Sequence, residues 1–347
     1  MSSYLPVDIR EKRILVTGAA GFIGFHTCRR LLACGAHVLG IDDLNTYYDV
    51  GLKQARLARL EGLAGFVFER CDVADKQCLL ALVAAFRPDY VVHLAAQAGV
   101  RFSLQDPSAY VHCNIEGFLA ILEACRAHPV RHLIYASSSS VYGGNSKVPF
   151  CETDPVDNPR SLYAVTKRAN ELMAHTYAHL FGIPASGLRF FTVYGPWGRP
   201  DMAYFTFTKA ILEGRPIDVF NNGQMQRDFT YIDDVVAAIE RLIPLPPGLA
   251  ATSDPDPDQA GEAVAHRLYN VGSHTPVALD QFIAVIEAAL GRKAERRLLP
   301  MQPGDVPLTY ANVARLAGAV DFAPRTPLAE GIGRFVAWYR EFYGLQA

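Results

Sequence analysis

The sequence predicts an α/β protein: a doubly wound parallel sheet with helices on both faces, then a smaller mixed α/β region toward the C-terminus. Three observations predict it. Through the first half of the chain, short apolar runs alternate with segments of helical periodicity, as in a parallel sheet. A glycine-rich turn, Gly18-Ala19-Ala20-Gly21-Phe22-Ile23-Gly24, joins the first apolar run to the first helical one. Near the middle, Tyr163 and Lys167 stand four apart in a helical pattern that opens at Ser161. With 347 residues, half of them hydrophobic and a fifth charged, the chain has room for one large domain or two modest ones.

In order, Arg13–Thr17 reads as a buried strand, and the helical pattern after the glycines runs to about Cys34. Glycines three apart at such a turn let a backbone approach a pyrophosphate, and the helix N-terminus presents free N–H groups to it. Ala36–Ile41 reads as a second strand ending at Asp42. A carboxylate there accepts hydrogen bonds from both adenosine-ribose hydroxyls and repels a 2′-phosphate, so the expected cofactor is NAD rather than NADP in a Rossmann-type domain. Phe66–Arg70 reads as a third strand, Lys76–Phe86 as a helix, Tyr90–Leu94 as a strand, Ser108–Arg126 as a long helix and Arg131–Ala136 as a strand.

Ligands of such sheets sit beyond the carboxyl ends of the strands. His93-Leu94-Ala95-Ala96 and Ser137-Ser138-Ser139-Ser140 fall at those ends. The small residues after Leu94 allow close approach to a cofactor, and a serine hydroxyl on that rim can bond the substrate oxygen that loses its proton. Asn114, inside the long helix, is either a polar bridge at the cofactor side or a satisfied core amide; His93 reads as structural. Tyr163 and Lys167 share a helix face, and an ammonium one turn from a phenol favours its anion.

Beyond a further strand, Ile183–Phe190, the alternation becomes irregular: Tyr204–Glu213 helical, Ile217–Phe220 a short strand, Asp233–Leu242 helical. Residues 244–262, rich in Pro, Asp and small side chains, read as a mobile surface loop. Periodic structure resumes at Arg267, with helices over Leu279–Leu290 and Gly331–Tyr343. Residues 1–190 are expected mainly to bind the cofactor and 191–347 mainly the substrate, with some later segments returning to the first domain. Arg227 has two readings: a bidentate partner for a diphosphate, or an ordinary salt bridge to Asp228 or Asp233.

The formal net charge of −2 offers no electrostatic footprint for nucleic acid or a membrane surface. No apolar run nears the roughly 20 residues that span a bilayer, and Met1–Ile9 lacks the pattern of a secretory signal. Seven scattered cysteines with no CxxC pair predict free thiols, no zinc site and a reducing cytoplasm.

Together these stretches resemble the extended short-chain dehydrogenase/reductases, the NAD-dependent enzymes that modify nucleotide sugars. The carriers are the glycine turn, His93-Leu94-Ala95-Ala96, Tyr135–Gly143 and the Tyr163/Lys167 pair. Within that family the chain is similar to the UDP-glucuronate 4-epimerases, through Asp42–Asp49, Ala95–Arg101, Arg189–Met202 and Gln226–Asp234. The resemblance implies Tyr163 as base and acid, Lys167 lowering its pKa and holding the nicotinamide ribose, and Ser138 as the catalytic hydroxyl. It implies Asp72 and Val73 at the adenine, and Gly18, Gly21, Phe22, Ile23, Gly24, Asp42, Leu94, Ala95 and Ala96 around the rest of NAD. Ser138, Ser139, Ser140 and Thr192 are implied around the sugar carboxylate, and Gln97, Arg101, Arg199, Arg227 and Asp305 in the substrate pocket, with Arg227 on the diphosphate. Relatives often carry threonine where Ser138 stands.

The implied reaction is oxidation of a UDP-sugar at C4, presentation of the other face of the 4-keto sugar, and re-reduction, with no metal. Related dehydratases carry an acidic pair where Ser139 and Ser140 stand, which argues against elimination across C5 and C6. The other readings are a UDP-glucose 4-epimerase, a UDP-glucuronate decarboxylase, or a non-catalytic NAD-binding scaffold. The resemblance also implies a homodimer formed through two long helices per subunit, Ser108–Arg126 and Leu162–Phe181.

Overall fold

A computed structural model describes residues 9–248 and 264–345. Its centre is a seven-stranded sheet, all parallel, whose inner strands are apolar runs buried on both faces, while the edge strand Phe66–Arg70 is largely exposed. The chain opens with β1 (Arg13–Thr17), α1 (Phe22–Ala33), β2 (His37–Asp42), α2 (Val50–Ala58), β3 (Phe66–Arg70), α3 (Lys76–Phe86) and β4 (Tyr90–His93). Two short helical segments, a 3-10 turn and α4 (Pro107–Tyr110), lead into a π-helical turn (Val111–Glu116), α5 (Gly117–Ala127) and β5 (His132–Ser138). Next come α6 (Leu162–Phe181), β6 (Ala185–Phe190), β7 (Thr192–Tyr194), α7 (Ala203–Leu212), β8 (Ile217–Val219), β9 (Gln226–Tyr231) and α8 (Ile232–Leu242). The chain finishes with β10 (His266–Val271), β11 (Pro276–Ala278), α9 (Leu279–Leu290), β12 (Arg296–Leu298), α10 (Ala314–Val320) and α11 (Leu328–Phe342).

The strand order is β10-β6-β5-β4-β1-β2-β3. After β3 the chain crosses back from the edge to place β4 beside β1, so the winding reverses between those two strands. That reversal opens a crevice at their carboxyl ends. The late strand β10 pairs with β6, so a segment beyond residue 191 returns to the main sheet. A three-stranded sheet, β11-β9-β7, and a β12-β8 pair form the smaller region.

The predicted strands and long helices recur with shifts of a few residues at their ends. The expected helix Ser108–Arg126 is two helical segments joined by the π turn. Helix α2, unpredicted, starts at Asp49, whose carboxylate accepts from Gly51 N–H. Helix α6 is capped at both ends: the Ser161 hydroxyl accepts from Ala164 N–H at 3.1 Å, and Gly182 ends it in the left-handed region. The expected loop over residues 244–262 lies mostly outside the described residues. No helix among the described residues is long and apolar enough to cross a membrane.

Candidate active site

At the carboxyl end of β1 the chain turns through Gly18, with Gly21 N–H donating to the Gly18 carbonyl at 2.9 Å. The turn is too tight for side chains: a Cβ on Gly24 would lie 2.0 Å from the Gly18 oxygen, and one on Gly18 2.8 Å from Ala95 N. Helix α1 begins at Gly21 with no side-chain cap, leaving its first N–H groups facing the crevice. Thr17 locks the two sides of the crevice together. Its hydroxyl accepts from Leu94 N–H at 3.1 Å and Ala95 N–H at 3.0 Å, and pairs with His93 Nδ1 at 2.8 Å. Burial pushes the His93 pKa down to about 3, so this histidine is a neutral structural partner, as its context in the sequence suggests.

The cavity beside this turn is lined by Gly18, Gly21, Phe22, Ile23, Gly24, Asp42, Asp72, Val73, Leu94, Ala95, Ala96, Gln97, Ser138, Tyr163, Lys167 and Arg199, among others. Asp42 ends β2 with its carboxylate already held: it accepts from Ala20 N–H at 3.2 Å and Leu44 N–H at 2.9 Å. Lys53, itself buried, lies 3.7 Å from that carboxylate and donates to the Asn45 amide oxygen at 3.0 Å. Burial raises the Asp42 pKa, with the Lys53 charge pulling against it. Asp72 is paired with His112 Nε2 at 2.8 Å, and that contact raises the His112 pKa.

Asn114 does not line the cavity. Its side chain bonds both backbone groups of Gln97, at 2.9 and 3.0 Å, and donates to the Thr166 hydroxyl at 3.0 Å. Asn170 donates to the Asn114 carbonyl at 2.6 Å. Of its two readings, the satisfied core amide describes it: it ties the loop after β4 to α6, at the π turn that re-aims the helix.

Tyr163 and Lys167 share a face of α6, but their charges act on different partners. Lys167 is buried and donates to the Ala136 carbonyl at 2.9 Å. Desolvation lowers its pKa to about 8, opposed by Cys113 and Glu171. Burial raises the Tyr163 phenol; a hydrogen bond with Ser138 and the Arg199 charge pull it back. The sequence suggests Lys167 as the cation beside the phenol; the structure adds Arg199, which shares the cavity lining with Tyr163 and Lys167. Tyr110 stands edge-on to the Tyr163 ring at 6.0 Å, and its hydroxyl bonds the Ala98 and Gly99 carbonyls.

Two further cavities meet the first at Arg199, and the smaller of them also at Tyr163. One is lined by Ser138, Ser139, Ser140, Tyr163, Thr192, Arg199, Arg227 and Asp305. The other, larger, takes in Arg101, Thr192, Arg199, Phe220, Arg227 and Asp305. Arg199 is held by Asp201 through two contacts, 3.0 and 2.5 Å, and Tyr47 donates to the same carboxylate at 3.2 Å. Arg101 pairs with Asp305 at 2.9 Å and lies over the Phe220 ring. Arg227 donates only to carbonyls, those of Gln226 and Pro307, at 2.9 and 3.2 Å. Asp228 instead accepts from Ser273 and Ala311 N–H, and Asp233 faces Arg334, so neither takes Arg227 in a salt bridge.

Several positioning residues escape the sequence. Arg56, buried, donates to the Ala20 carbonyl at 2.8 Å, to Tyr48 at 2.7 Å, and to the Trp197 and Gly198 carbonyls, joining the glycine turn to the loop that carries Arg199. Beneath the serines, Arg189 and Glu171 form a two-pronged buried pair at 2.8 and 2.9 Å, and Ser137 donates to the same carboxylate at 2.6 Å. All these contacts join residues far apart in the chain.

The family model for the NAD dependent epimerase/dehydratase family matches residues 14–248. The chain belongs to that family. This epimerase/dehydratase is 47% identical over 333 residues to a probable UDP-glucuronate 4-epimerase of Rhizobium meliloti, spanning 95% of this chain and 98% of the relative. It is 49% identical over 332 residues to protein CapI of Staphylococcus aureus, spanning 95% and 99%. The solved UDP-glucuronic acid 4-epimerase of Bacillus cereus, in complex with UDP-glucuronic acid and NAD, matches with a TM-score of 0.85 at 34% identity, covering 95% of this chain and 100% of that one. NAD is the cofactor of the family, and the residues here fit it: a side-chain-free cradle at the glycines, an uncapped helix end for a pyrophosphate, and a pre-positioned carboxylate at Asp42.

Proposed function

We propose that this epimerase/dehydratase is a UDP-glucuronate 4-epimerase, interconverting UDP-glucuronate and UDP-galacturonate through a transient ketone at C4. One observation carries the choice of substrate: Tyr163 opens onto a cavity where the positions after Ser138 are the uncharged Ser139 and Ser140, with Thr192 opposite. Hydroxyls bond a carboxylate while leaving it free to turn, and no acid stands there to drive elimination. The reading is supported by the probable UDP-glucuronate 4-epimerase of Rhizobium meliloti and by the solved Bacillus cereus UDP-glucuronic acid 4-epimerase, which holds UDP-glucuronic acid and NAD.

Bound NAD supplies a reversible hydride acceptor for C4. Tyr163, as phenolate, takes the O4 proton and returns it to O4 once C4 has been re-reduced on its other face. Ser138 holds the oxygen that loses the proton. Lys167, fixed by the Ala136 carbonyl, is assigned to the nicotinamide ribose. Asp42 is assigned to the adenosine ribose, Asp72 and Val73 to the adenine, and Arg227, which makes no salt bridge among the described residues, to the diphosphate. Gln97, Arg101 and Asp305 complete the substrate pocket. The sugar ring must present its second face between the two steps, and the serine hydroxyls must hold the carboxylate so that its C–C bond stays out of line with the ketone.

Residues 1–190 are assigned mainly to the cofactor and 191–347 mainly to the nucleotide sugar. The proposed cellular setting is the cytoplasm, supported by seven free cysteines. The proposed assembly is a homodimer, supported by apolar side chains exposed along α5 and α6. The test is to supply UDP-glucuronate without added NAD and identify the product by NMR. UDP-galacturonate is expected. A UDP-pentose product would make the protein a decarboxylase, and turnover of UDP-glucose in preference to the uronate would make it a neutral-sugar epimerase.

A further inference from the structure

The serine-lined cavity has a second charged wall. Three arginines line it: Arg160, Arg199 and Arg227. Arg199 is neutralised by Asp201, and Asp305, also in the lining, is committed to Arg101. Arg160 is exposed and, among the described residues, makes no hydrogen bond and no ion pair through its guanidinium.

Its position is built. The Gly143–Gly144 turn is separated from the serines by two residues, and the Asn158–Arg160 segment lies across it, with Gly144 N–H donating to the Asn158 carbonyl at 3.1 Å. A Cβ on Gly143 would stand 2.1 Å from that carbonyl oxygen. A Cβ on Gly144 would stand 2.8 Å from Arg160 Nη2 and 2.9 Å from Nε, so the guanidinium rests flat on a glycine that has no side chain to displace it. Behind it, Ser161 caps α6, which fixes the Arg160 backbone three residues before Tyr163.

We propose that Arg160 is a specificity-determining residue that holds the carboxylate of the sugar at the mouth of the serine-lined cavity. The proposal rests on the uronate reading above and deepens it. A uronate offers an anion at C6 where the neutral sugar offers a hydroxymethyl group. The cavity supplies hydroxyls for that anion and, in Arg160, a cation whose guanidinium has no hydrogen-bond or ion-pair partner among the described residues. Because Arg160 is long and exposed, it can follow the carboxylate as the ring turns, whereas a buried, fully bonded arginine would resist the turn. Arg227, which donates to the Pro307 carbonyl, remains for the diphosphate.

The test compares wild type, Arg160→Gln and Arg160→Lys as NAD-loaded enzyme, titrated calorimetrically with UDP-glucuronate and with UDP-glucose. Arg160→Gln should weaken UDP-glucuronate about three- to fivefold, the upper end for an exposed ion pair, while the affinity for UDP-glucose stays unchanged. Arg160→Lys should recover part of the loss, and the effect on turnover should appear in KM. Equal weakening of both nucleotides would place Arg160 on the diphosphate and overturn the proposal; so would an unchanged affinity for the uronate. A wild type that binds UDP-glucuronate no better than UDP-glucose would instead overturn the uronate reading itself, and the proposal with it.

Discussion

Tyr163 sits where two effects oppose each other. Burial favours the neutral phenol, while the Ser138 hydroxyl and the Arg199 guanidinium favour the phenolate. Removing the hydroxyl leaves burial less opposed. In Ser138→Ala the Tyr163 titration, followed as the phenolate absorbance that Tyr163→Phe lacks, should therefore shift to higher pH. Turnover below that midpoint should fall with the phenolate fraction. A midpoint that stays put would remove Ser138 from this role. At this scale the sequence was partly legible. The Tyr163/Lys167 spacing and the serine run are local and can be read directly. The cation that acts on the phenol cannot, because Arg199 lies on a different loop and reaches Tyr163 only through the fold. Arg56 and Glu171 are silent for the same reason: their partners at Trp197 and Arg189 are set by packing, not by sequence neighbours.

Elements were legible where burial is simple. The inner strands of the main sheet are buried on both faces and read as apolar runs, as β1 and β5 show. Helix α2 is hidden because its inner face includes Lys53 and Arg56 beside Leu52 and Leu57, so it shows no apolar stripe. Strands β7, β11 and β12 are three residues each, too short to display a period. The β1–α1 junction is the element on which cofactor binding turns. Gly24→Ala would press a methyl group onto the Gly18 oxygen, a backbone atom that cannot move without opening the turn. We expect purified Gly24→Ala to carry at least about tenfold less NAD than wild type, measured as nucleotide released on denaturation, and to be less stable by about 1–3 kcal/mol from overpacking. Gly318→Ala, where an added Cβ meets nothing within 4 Å, should keep its NAD. Full NAD content in Gly24→Ala would show that the turn does not cradle the dinucleotide.

For the whole molecule, α5 and α6 pack side by side and hold Tyr163 and Lys167 toward the crevice. Their other side is left with apolar side chains in the open: Leu119 on α5, with Val111 eight residues earlier in the π turn, and Val165, Leu172 and Leu180 on α6. Spacings of seven and eight put each set on one helix face, so the two helices present a shared stripe rather than scattered exposures. Two helices from each of two copies can close that stripe as a four-helix contact about a twofold axis, which pairs the stripe with itself. A glutamate at its centre would meet its own copy across the axis and bury charge. Leu172→Glu should therefore be a monomer in sedimentation or light scattering at concentrations where wild type is a dimer. Leu63→Glu, at an exposed leucine away from these helices, should remain a dimer. Because α6 carries Tyr163 on its inner face, the Leu172→Glu monomer should also unfold at a lower temperature while keeping its NAD, whose binding residues lie at the opposite side of the helix. A monomeric wild type would remove the proposed dimer, and a Leu172→Glu variant that still pairs would move its interface elsewhere.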